Sequence, residues 1–208
     1  SSFGINSEKI TVINNAVDQN FEIDSKNGNN NILTMARLVP WKGIDTLIKI
    51  MPEVIKQIPE AKLVIAGDGP QMNDLKKLVD DLNLTDSIQL LGKIIDKNEK
   101  QKLYNSSSIF VLNTFYEGMS NVITEAMAQG LPIVATRSGG NQEFTGDDNG
   151  ILVDYNNTQQ ITQAVIELLT NQNKSKELGE KSKEKSSKYS WDLLVEKNIK
   201  LINSIVSK

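Results

Sequence analysis

The chain contains neither histidine nor cysteine among its 208 residues. Their absence excludes Ser-His-Asp and Cys-His nucleophilic machinery, and it excludes the common zinc sites built from these side chains. A chain without cysteine also agrees with a reducing compartment. Carboxylates, lysine, arginine, hydroxyl groups and backbone dipoles therefore remain to carry any chemistry.

Long apolar runs and an excess of positive charge are also missing. No uninterrupted run approaches the roughly 20 apolar residues of a membrane-spanning helix, and we expect no signal peptide in this stretch. The formal net charge is −3 and the pI is about 5.2, which argues against a surface dedicated to nucleic acid. Any bound anion must therefore be held by a local cluster. Because the chain begins at Ser1 rather than methionine, we expect it to be a piece of a longer protein.

Short apolar segments alternate with amphipathic ones along the sequence. The predicted strands are Lys9–Val12, Ile32–Met35, Lys62–Ala66, Ile88–Leu91, Ile109–Leu112, Ile133–Ala135 and Gly150–Val153. The predicted helices are Ile44–Gln57, Gln71–Leu82, Asp96–Tyr104, one between Ser120 and Gly130, Thr158–Leu169, Lys174–Lys188 and Trp191–Val206. Helices of this length between strands imply parallel crossovers. The pattern predicts an α/β fold, a Rossmann-like doubly wound parallel sheet with helices on both faces.

Polar and glycine-rich residues follow five of the predicted strands. They are Arg37 with Lys42, Gly67–Pro70, Gly92, Glu117–Gly118, and Ser138–Gly140 with Glu143. Ligands of such sheets bind beyond the carboxyl ends of the strands. The sequence therefore predicts a binding site at this edge.

The segment Phe115–Pro132 is central to that prediction. Gly118 suits a turn, and Ser120 or Asn121 can cap the helix that follows. Unpaired N–H groups at a helix start favour an anion such as phosphate, while Glu117 and Glu125 can accept hydrogen bonds from hydroxyl groups. A sugar attached to a phosphate supplies both partners. The alternative is that both acids are solvated surface residues.

Several segments, in order, resemble successive motifs of the family 4 retaining glycosyltransferases. They are Val12–Asp18, Ala36–Gly43, Val64–Pro70, Glu117–Ala128, Leu131–Thr136, and Gly139–Gly140 with Glu143. The resemblance spans roughly Lys9 to Trp191. Ala16 departs from the family, in which glycine is more usual at this turn, so the backbone there is expected to differ.

The resemblance implies an enzyme of the GT-B architecture, in which two Rossmann-like domains face each other across a cleft. The whole chain, 1–208, would be the C-terminal, nucleotide-sugar-binding domain, with a C-terminal helix at 189–208 and the N-terminal acceptor domain absent. The family transfers a hexosyl group with retention in polysaccharide or glycoconjugate biosynthesis. The expected partners are a nucleotide-diphosphate sugar, the missing N-terminal domain of the same protein, and a glycan or lipid-linked acceptor, with no nucleic acid. No cofactor or metal is expected, and the implied location is cytoplasmic, with peripheral attachment to the inner face of the membrane left open.

Roles for individual residues also come from the resemblance. Arg37 and Lys42 would neutralise the donor diphosphate, and Glu117 with the Gly118–Val122 backbone would hold the transferred sugar and phosphate. Glu125 would bind ribose hydroxyls. The implied catalytic residues are Glu117, Arg37 and Lys42, and the implied donor-binding residues are Gly67, Asp68, Gly92, Lys93, Ile94, Gly118, Met119, Ser120, Asn121, Val122 and Glu125.

Alternatives remain at this stage. Arg37 and Lys42 could be a solvated pair, and Lys174–Lys188 reads as a solvated helix rather than a basic membrane-surface helix. The chain could also be a nucleotide-sugar-binding module that performs no transfer. A dinucleotide-dependent oxidoreductase is disfavoured because Met72 stands where the third glycine of its fingerprint belongs. Gly67–Gly69 is therefore read as a tight turn, and a contact with the donor is left open.

Overall fold

The structure, a computed structural model, describes residue 4, residues 6–19 and residues 29–206. Its strands are β1 (Asn31–Met35), β2 (Lys62–Ala66), β3 (Ile88–Gly92), β4 (Ile109–Leu112), β5 (Ile133–Thr136) and β6 (Gly150–Val153). All six are parallel and lie in the order β3-β2-β1-β4-β5-β6. The strand order therefore reverses between β1 and β4. The predicted Rossmann-like α/β fold is confirmed.

Helices connect the strands and follow the last of them. They are α1 (Ile44–Gln57), α2 (Met72–Asp81), α3 (Lys97–Asn105), α4 (Asn121–Ala128), α5 (Asn141–Phe144), α6 (Thr158–Thr170), α7 (Gln172–Ser186) and α8 (Trp191–Val206). Within the described residues, short 3₁₀ helices cover Ser7–Lys9, Pro40–Lys42 and Ser187–Tyr189. No helix in the described part of the chain combines the length and apolar character needed to cross a membrane.

Side chains of β1 enter two separate cores. Ile32 belongs to the core formed with α1, α2 and α6, whereas Leu33 and Met35 belong to the core formed with α3, α4 and α5. Strands buried on both faces read as continuous apolar runs rather than alternating ones. The fully buried β4 is such a run. This is why the strand positions follow so directly from the sequence.

Two features of the amino-terminal and central chain differ from the sequence prediction. The strand predicted at Lys9–Val12 is wrong: 3₁₀ helix ends at Lys9, and the following residues form no regular element. Ile10 is 49% and Val12 77% exposed, so their apolar pattern meets no partner strand. The short helix α5 was not predicted, because four residues carry too little periodicity to be recognised.

The charged helix α7 is solvated on one face only. Lys181 Nζ lies 2.6 Å from Glu177 Oε1 on the solvated face, as the spacing predicts. On the other face Leu178, Gly179 and Ser182 are buried. A Cβ at Gly179 would lie 2.4 Å from the carbonyl oxygen of Gly130, so this helix packs closely against the chain that enters β5.

The helix α8 matches the predicted Trp191–Val206, and no residue of it is buried. Its apolar side chains include Trp191 at 58% and Ile202 at 57% exposure, whereas Leu194 is partly buried. This helix therefore carries an exposed apolar patch. The last two residues of the predicted 189–208 segment lie outside the described residues.

Candidate functional site

The carboxyl ends of β1 and β4 lie side by side where the strand order reverses. Open α/β sheets bind ligands in the crevice at such a position. Arg37 and Lys42 follow β1, and Glu117 follows β4. The fold thus brings the residues implied as catalytic to one edge of the sheet.

Lys42 and Glu117 form an ion pair across that crevice. Their side chains are only 15% and 18% exposed, so water screens the pair less than it would on an open surface. Lys42 ends the short 3₁₀ helix, and Gly43, with φ of 51°, turns the chain into α1. The solvated-pair reading does not describe Lys42, which is largely enclosed.

Arg37 occupies a different environment. It is exposed, and its guanidinium carbon lies 5.6 Å from the ring centroid of Trp41, a distance at which a cation–π contact forms. No carboxylate among the described residues pairs with it. Its five donors are therefore available to an incoming anion.

The Gly67–Gly69 segment is a tight turn pressed against the chain that leaves β1. A Cβ at Gly67 would lie 1.8 Å from the carbonyl oxygen of Ala36, and one at Gly69 would lie 2.4 Å from that of Leu38. Asp68 closes the turn, because its Oδ1 accepts from the Gly69 N–H over 2.8 Å. The turn fixes the backbone around Arg37, and Asp68 itself stays exposed at the edge.

A second glycine pair supports the loop that carries Glu117. The Gly140 N–H donates to the carbonyl oxygen of Glu117 over 2.9 Å. A Cβ at Gly139 would lie 1.9 Å from that same oxygen, and one at Gly140 would lie 1.8 Å from the carbonyl oxygen of Gly118. Only residues without a side chain permit this approach. The loop after β5 therefore determines where the Glu117–Gly118 backbone lies.

The amino end of α4 opens into the same crevice. Ser120 occupies the N-cap position, yet its side chain makes no capping hydrogen bond, contrary to the capping expected from the sequence. The residue is 2% exposed, and its Oγ has no hydrogen-bond partner. The first N–H groups of a helix also lack partners within the helix. This end of α4 is thus rich in unused donors, which favours an anion.

The segment before β1 reaches this helix end. The Asn15 N–H lies 2.9 Å from Met119 Sδ, and Asn15 Nδ2 donates to Asn121 Oδ1 over 3.1 Å. Ala16, where the family more often has glycine, is not among the residues at positive φ. The turn therefore takes a backbone that alanine accepts without strain.

Glu125 faces α3. Its Oε2 accepts from the Tyr104 hydroxyl over 2.8 Å and lies 2.5 Å from Lys100 Nζ. Its side chain is 24% exposed, so one part of the carboxylate still meets solvent. Lys100 and Tyr104 were not identified from the sequence. Their one signal was a spacing of one helical turn on α3, which is common to many surface helices.

Burial raises the pKa of the Tyr104 hydroxyl well above its ordinary value, and the negative charge of Glu125 raises it further. Tyr104 therefore remains a neutral donor at physiological pH. By donating to Oε2, the Tyr104 hydroxyl fixes the orientation of the Glu125 carboxylate.

Gly92, Lys93 and Ile94 lie at and beyond the carboxyl end of β3. Gly92 has φ of 75°, a conformation that favours glycine, and its carbonyl oxygen accepts from the Gly67 N–H over 2.7 Å. Lys93 is exposed, while Ile94 packs against the core that contains Tyr104. These residues border the crevice on the side of Glu125.

A cavity of about 570 Å³ lies elsewhere, at the amino ends of β4 and β5. Its lining includes Gln129, Leu168 and Lys183, and it contains none of the site residues inferred from the sequence. The described residues also hold no cluster of three or more Asp or Glu side chains suited to a metal ion.

Comparisons with known proteins identify the family of this chain. Residues 17–185 match the model of the family described as glycosyl transferases group 1. An uncharacterized glycosyltransferase of Methanocaldococcus jannaschii is 36% identical over 186 residues, which are 88% of this chain and 50% of that protein. A GDP-mannose-dependent alpha-(1-6)-phosphatidylinositol monomannoside mannosyltransferase of Mycobacterium tuberculosis is 30% identical over 80% of this chain and 45% of its own length.

A solved structure of TarM from S. aureus, in complex with fondaparinux, alpha-GlcNAc-glycerol and UDP, superimposes with a TM-score of 0.85. It shares 27% identity and covers 97% of this chain, which corresponds to 41% of TarM. The chain thus spans half or less of the length of these three proteins. The chain belongs to the glycosyl transferases group 1 family and corresponds to the C-terminal domain of the GT-B architecture.

Proposed function

We propose that this domain binds the nucleotide-diphosphate sugar of a retaining glycosyltransferase that requires no metal ion. The observation that carries the proposal is the enclosed Lys42–Glu117 pair beside the unpaired donors at the start of α4. This arrangement offers positive charge, backbone N–H groups and a carboxylate within one crevice. A phosphorylated sugar uses all three.

The diphosphate is assigned to Arg37, Lys42 and the amino end of α4. Negative charge builds on the leaving diphosphate as the anomeric bond breaks. Fixed cations and helix N–H groups therefore stabilise the transition state more than the ground state. Two cationic side chains can perform the neutralisation that a divalent ion performs in other enzymes. The proposal of a metal-independent reaction rests on this charge balance.

The nucleoside is assigned to the other side of the crevice. Tyr104 and Lys100 both approach Oε2 of Glu125, so the second carboxylate oxygen is suited to accept a ribose hydroxyl. Gly92, Lys93 and Ile94 would line the base, with Asp68 at the rim. Both UDP and GDP-mannose occur among the related proteins, so the base is left to experiment.

The transferred sugar is assigned to Glu117 with the backbone of Gly118–Val122. Because Lys42 pairs with Glu117, the carboxylate is partly neutralised, which makes it a poor nucleophile. This favours front-side transfer assisted by the departing phosphate over a covalent intermediate on Glu117. Both routes retain the anomeric configuration.

The acceptor belongs to the other half of the enzyme. We assign residues 1–208 to the donor domain and infer a partner domain, in the same protein, that holds a glycan or lipid-linked acceptor. The domain alone would then be inactive in transfer. The absence of cysteine agrees with a cytoplasmic location. Peripheral attachment to the inner face of the membrane is proposed only for the full-length protein.

A nucleotide-sugar-binding module without transfer is the second candidate, since the chain spans about half the length of these two relatives and the acceptor is assigned to the other half. An oxidoreductase is set aside because of the family membership.

Calorimetric titration with UDP, GDP and ADP, each beside its nucleoside, tests the proposal. We expect one diphosphate to bind with Kd below about 1 mM and more tightly than its nucleoside. If none of the three binds in this range, the domain does not hold a nucleotide sugar.

A further inference from the structure

A buried amide network lies directly behind Lys42. Asn113, at the end of β4, is 1% exposed. Its Nδ2 donates to the carbonyl oxygen of Gly43 over 2.9 Å and to Asn156 Oδ1 over 2.8 Å. In return, its Oδ1 accepts from the Asn156 backbone N–H over 3.0 Å. Thr46, in the first turn of α1, also donates its hydroxyl to Asn156 Oδ1 over 2.8 Å.

The turn that carries Lys42 is packed tightly onto this network. Gly43 follows Lys42 and has φ of 51°. A Cβ at Gly43 would lie 2.2 Å from Asn113 Nδ2 and 2.6 Å from Asn156 Oδ1. Asn156 itself has φ of 55°, a left-handed conformation that asparagine tolerates. The side chains of Asn113 and Asn156 thus occupy the space that a Cβ at position 43 would need.

The residue before Lys42 is tied to the same strand extension. The carbonyl oxygen of Trp41 accepts from the Phe115 N–H over 2.8 Å and from the Thr114 hydroxyl over 3.2 Å. The backbone is therefore anchored on both sides of Lys42, at Trp41 and at Gly43. Both anchors come from the chain between β4 and Glu117, the partner of Lys42.

We propose that Asn113 and Asn156 are positioning residues that hold Lys42 against the donor diphosphate. The inference rests on the proposed function, in which Lys42 binds that group. A lysine side chain is long and flexible, so its ammonium group reaches a fixed place only when its backbone is fixed. The two asparagines are assigned no contact with the donor and act through Lys42.

The test uses Asn156→Gly and Asn113→Ala. Glycine accepts the positive φ of Asn156, so this variant removes the side-chain hydrogen bonds without straining the turn. Diphosphate affinity is expected to fall roughly tenfold in both variants, while affinity for the nucleoside stays unchanged. Unchanged diphosphate affinity, or an equal loss for the nucleoside, overturns the inference. If Asn113→Ala does not fold, Asn156→Gly alone decides.

A double-mutant cycle separates an effect on the position of Lys42 from a general destabilisation of the fold. In a Lys42→Ala background, Asn156→Gly should cause no further loss of diphosphate affinity, because the group being positioned is gone. Fully additive losses contradict the inference. If Lys42→Ala alone leaves diphosphate affinity unchanged, the assignment of Lys42 to the diphosphate, on which the inference rests, fails instead.

Asn149→Ala provides the matched control. Asn149 is also a buried asparagine, and its Nδ2 donates to the carbonyl oxygen of Phe144 over 2.9 Å. It precedes β6 and so lies at the opposite edge of the sheet. Its loss should lower the thermal midpoint without changing diphosphate affinity. A loss of affinity in this control as large as in Asn156→Gly would show a structural effect and overturn the inference.

Discussion

The Tyr104 hydroxyl donates to Oε2 of Glu125 over 2.8 Å, and the ammonium group of Lys100 lies 2.5 Å from the same oxygen. Tyr104 and Lys100 of α3 therefore both hold the same oxygen of the carboxylate, and no described residue donates to Oε1. This fixes Glu125 on the side of the crevice bordered by β3. Glu117 lies instead with Lys42, so the two acids face different partners.

The two acids should respond differently to loss of charge. Glu125→Gln keeps the shape of the side chain but weakens the acceptor for a ribose hydroxyl. We expect roughly tenfold weaker binding of nucleoside and nucleoside diphosphate alike. Glu117→Gln should spare the bare nucleotide and instead reduce turnover in the full-length enzyme. Calorimetry with the bare nucleotide checks both, and equal losses in the two variants would show that their roles are misassigned.

Alkaline pH should destabilise the fold through Tyr104. Its pKa is raised in the folded protein, so the stabilising contribution is complete below the unfolded value of about 10 and is lost as pH rises toward the folded value. The free energy of unfolding should fall above about pH 10 by up to roughly 1.4 kcal/mol per pH unit for this group.

Urea unfolding of the wild type and of Tyr104→Phe between pH 8 and about pH 11 measures this slope. The variant should show a shallower decline, with a remainder from Tyr189, whose pKa is raised by partial burial and by Glu143. Identical slopes in the two proteins would contradict the prediction.

Gly140→Ala should disrupt the loop that carries Glu117. The new Cβ would lie 1.8 Å from the carbonyl oxygen of Gly118, so the loop must move. Overpacking of this kind costs about 1–3 kcal/mol of stability, and binding of the sugar nucleotide should weaken as the loop shifts. Thermal unfolding and calorimetry measure the two effects.

Gly146→Ala is the matched control for that substitution. A Cβ at Gly146 meets only the flexible side chains of Asp148, at 3.0 Å, and Lys185, at 3.9 Å. Both stability and binding should stay close to the wild type. If Gly140→Ala behaves like this control, close approach of the loops after β4 and β5 is not required for stability or for binding of the sugar nucleotide.

Most of the fold could be predicted from the sequence because parallel strands buried on both faces are short apolar runs. The bounds of α1, β2, β4, β6 and α8 agree with the prediction. The exception at Ile10 and Val12 shows the limit: an apolar pattern forms a strand only if a neighbouring strand can pair with it. Position along the chain does not reveal that neighbour.

The site could be predicted only as a set of loops. The glycines and charged residues after the strands indicated which edge to consider, but not which side chains meet there. Lys42 and Glu117 are distant in sequence, and nothing local predicts their ion pair. Likewise Asn113, which directly follows the predicted strand Ile109–Leu112, was not identified, because its partners Gly43 and Asn156 come from two other loops.

The chain by itself should not transfer sugar. Transfer requires the acceptor hydroxyl within about 3.5 Å of the anomeric carbon, and closure of a partner domain supplies both that placement and exclusion of water. We expect at most slow hydrolysis when the chain is incubated with sugar nucleotides and a panel of acceptors. Efficient transfer would place the acceptor site in this domain and refute the domain assignment.

The diphosphate site makes the most direct prediction. Arg37→Ala and Lys42→Ala should each weaken nucleoside diphosphate binding by about 10- to 150-fold, because each removes roughly 1.5 to 3 kcal/mol of charge-assisted hydrogen bonding. The Lys42 change should have the larger effect, since it also leaves the Glu117 carboxylate unpaired beside the anion. Lys49→Ala, which removes a surface cation paired with Asp45, should have no effect.

The decisive measurement is the calorimetric Kd of the matching nucleoside diphosphate and of its nucleoside, for the wild type and these three variants. The account predicts that Arg37→Ala and Lys42→Ala lose diphosphate affinity and keep nucleoside affinity, while Lys49→Ala keeps both. Unchanged diphosphate affinity in both Arg37→Ala and Lys42→Ala would contradict it.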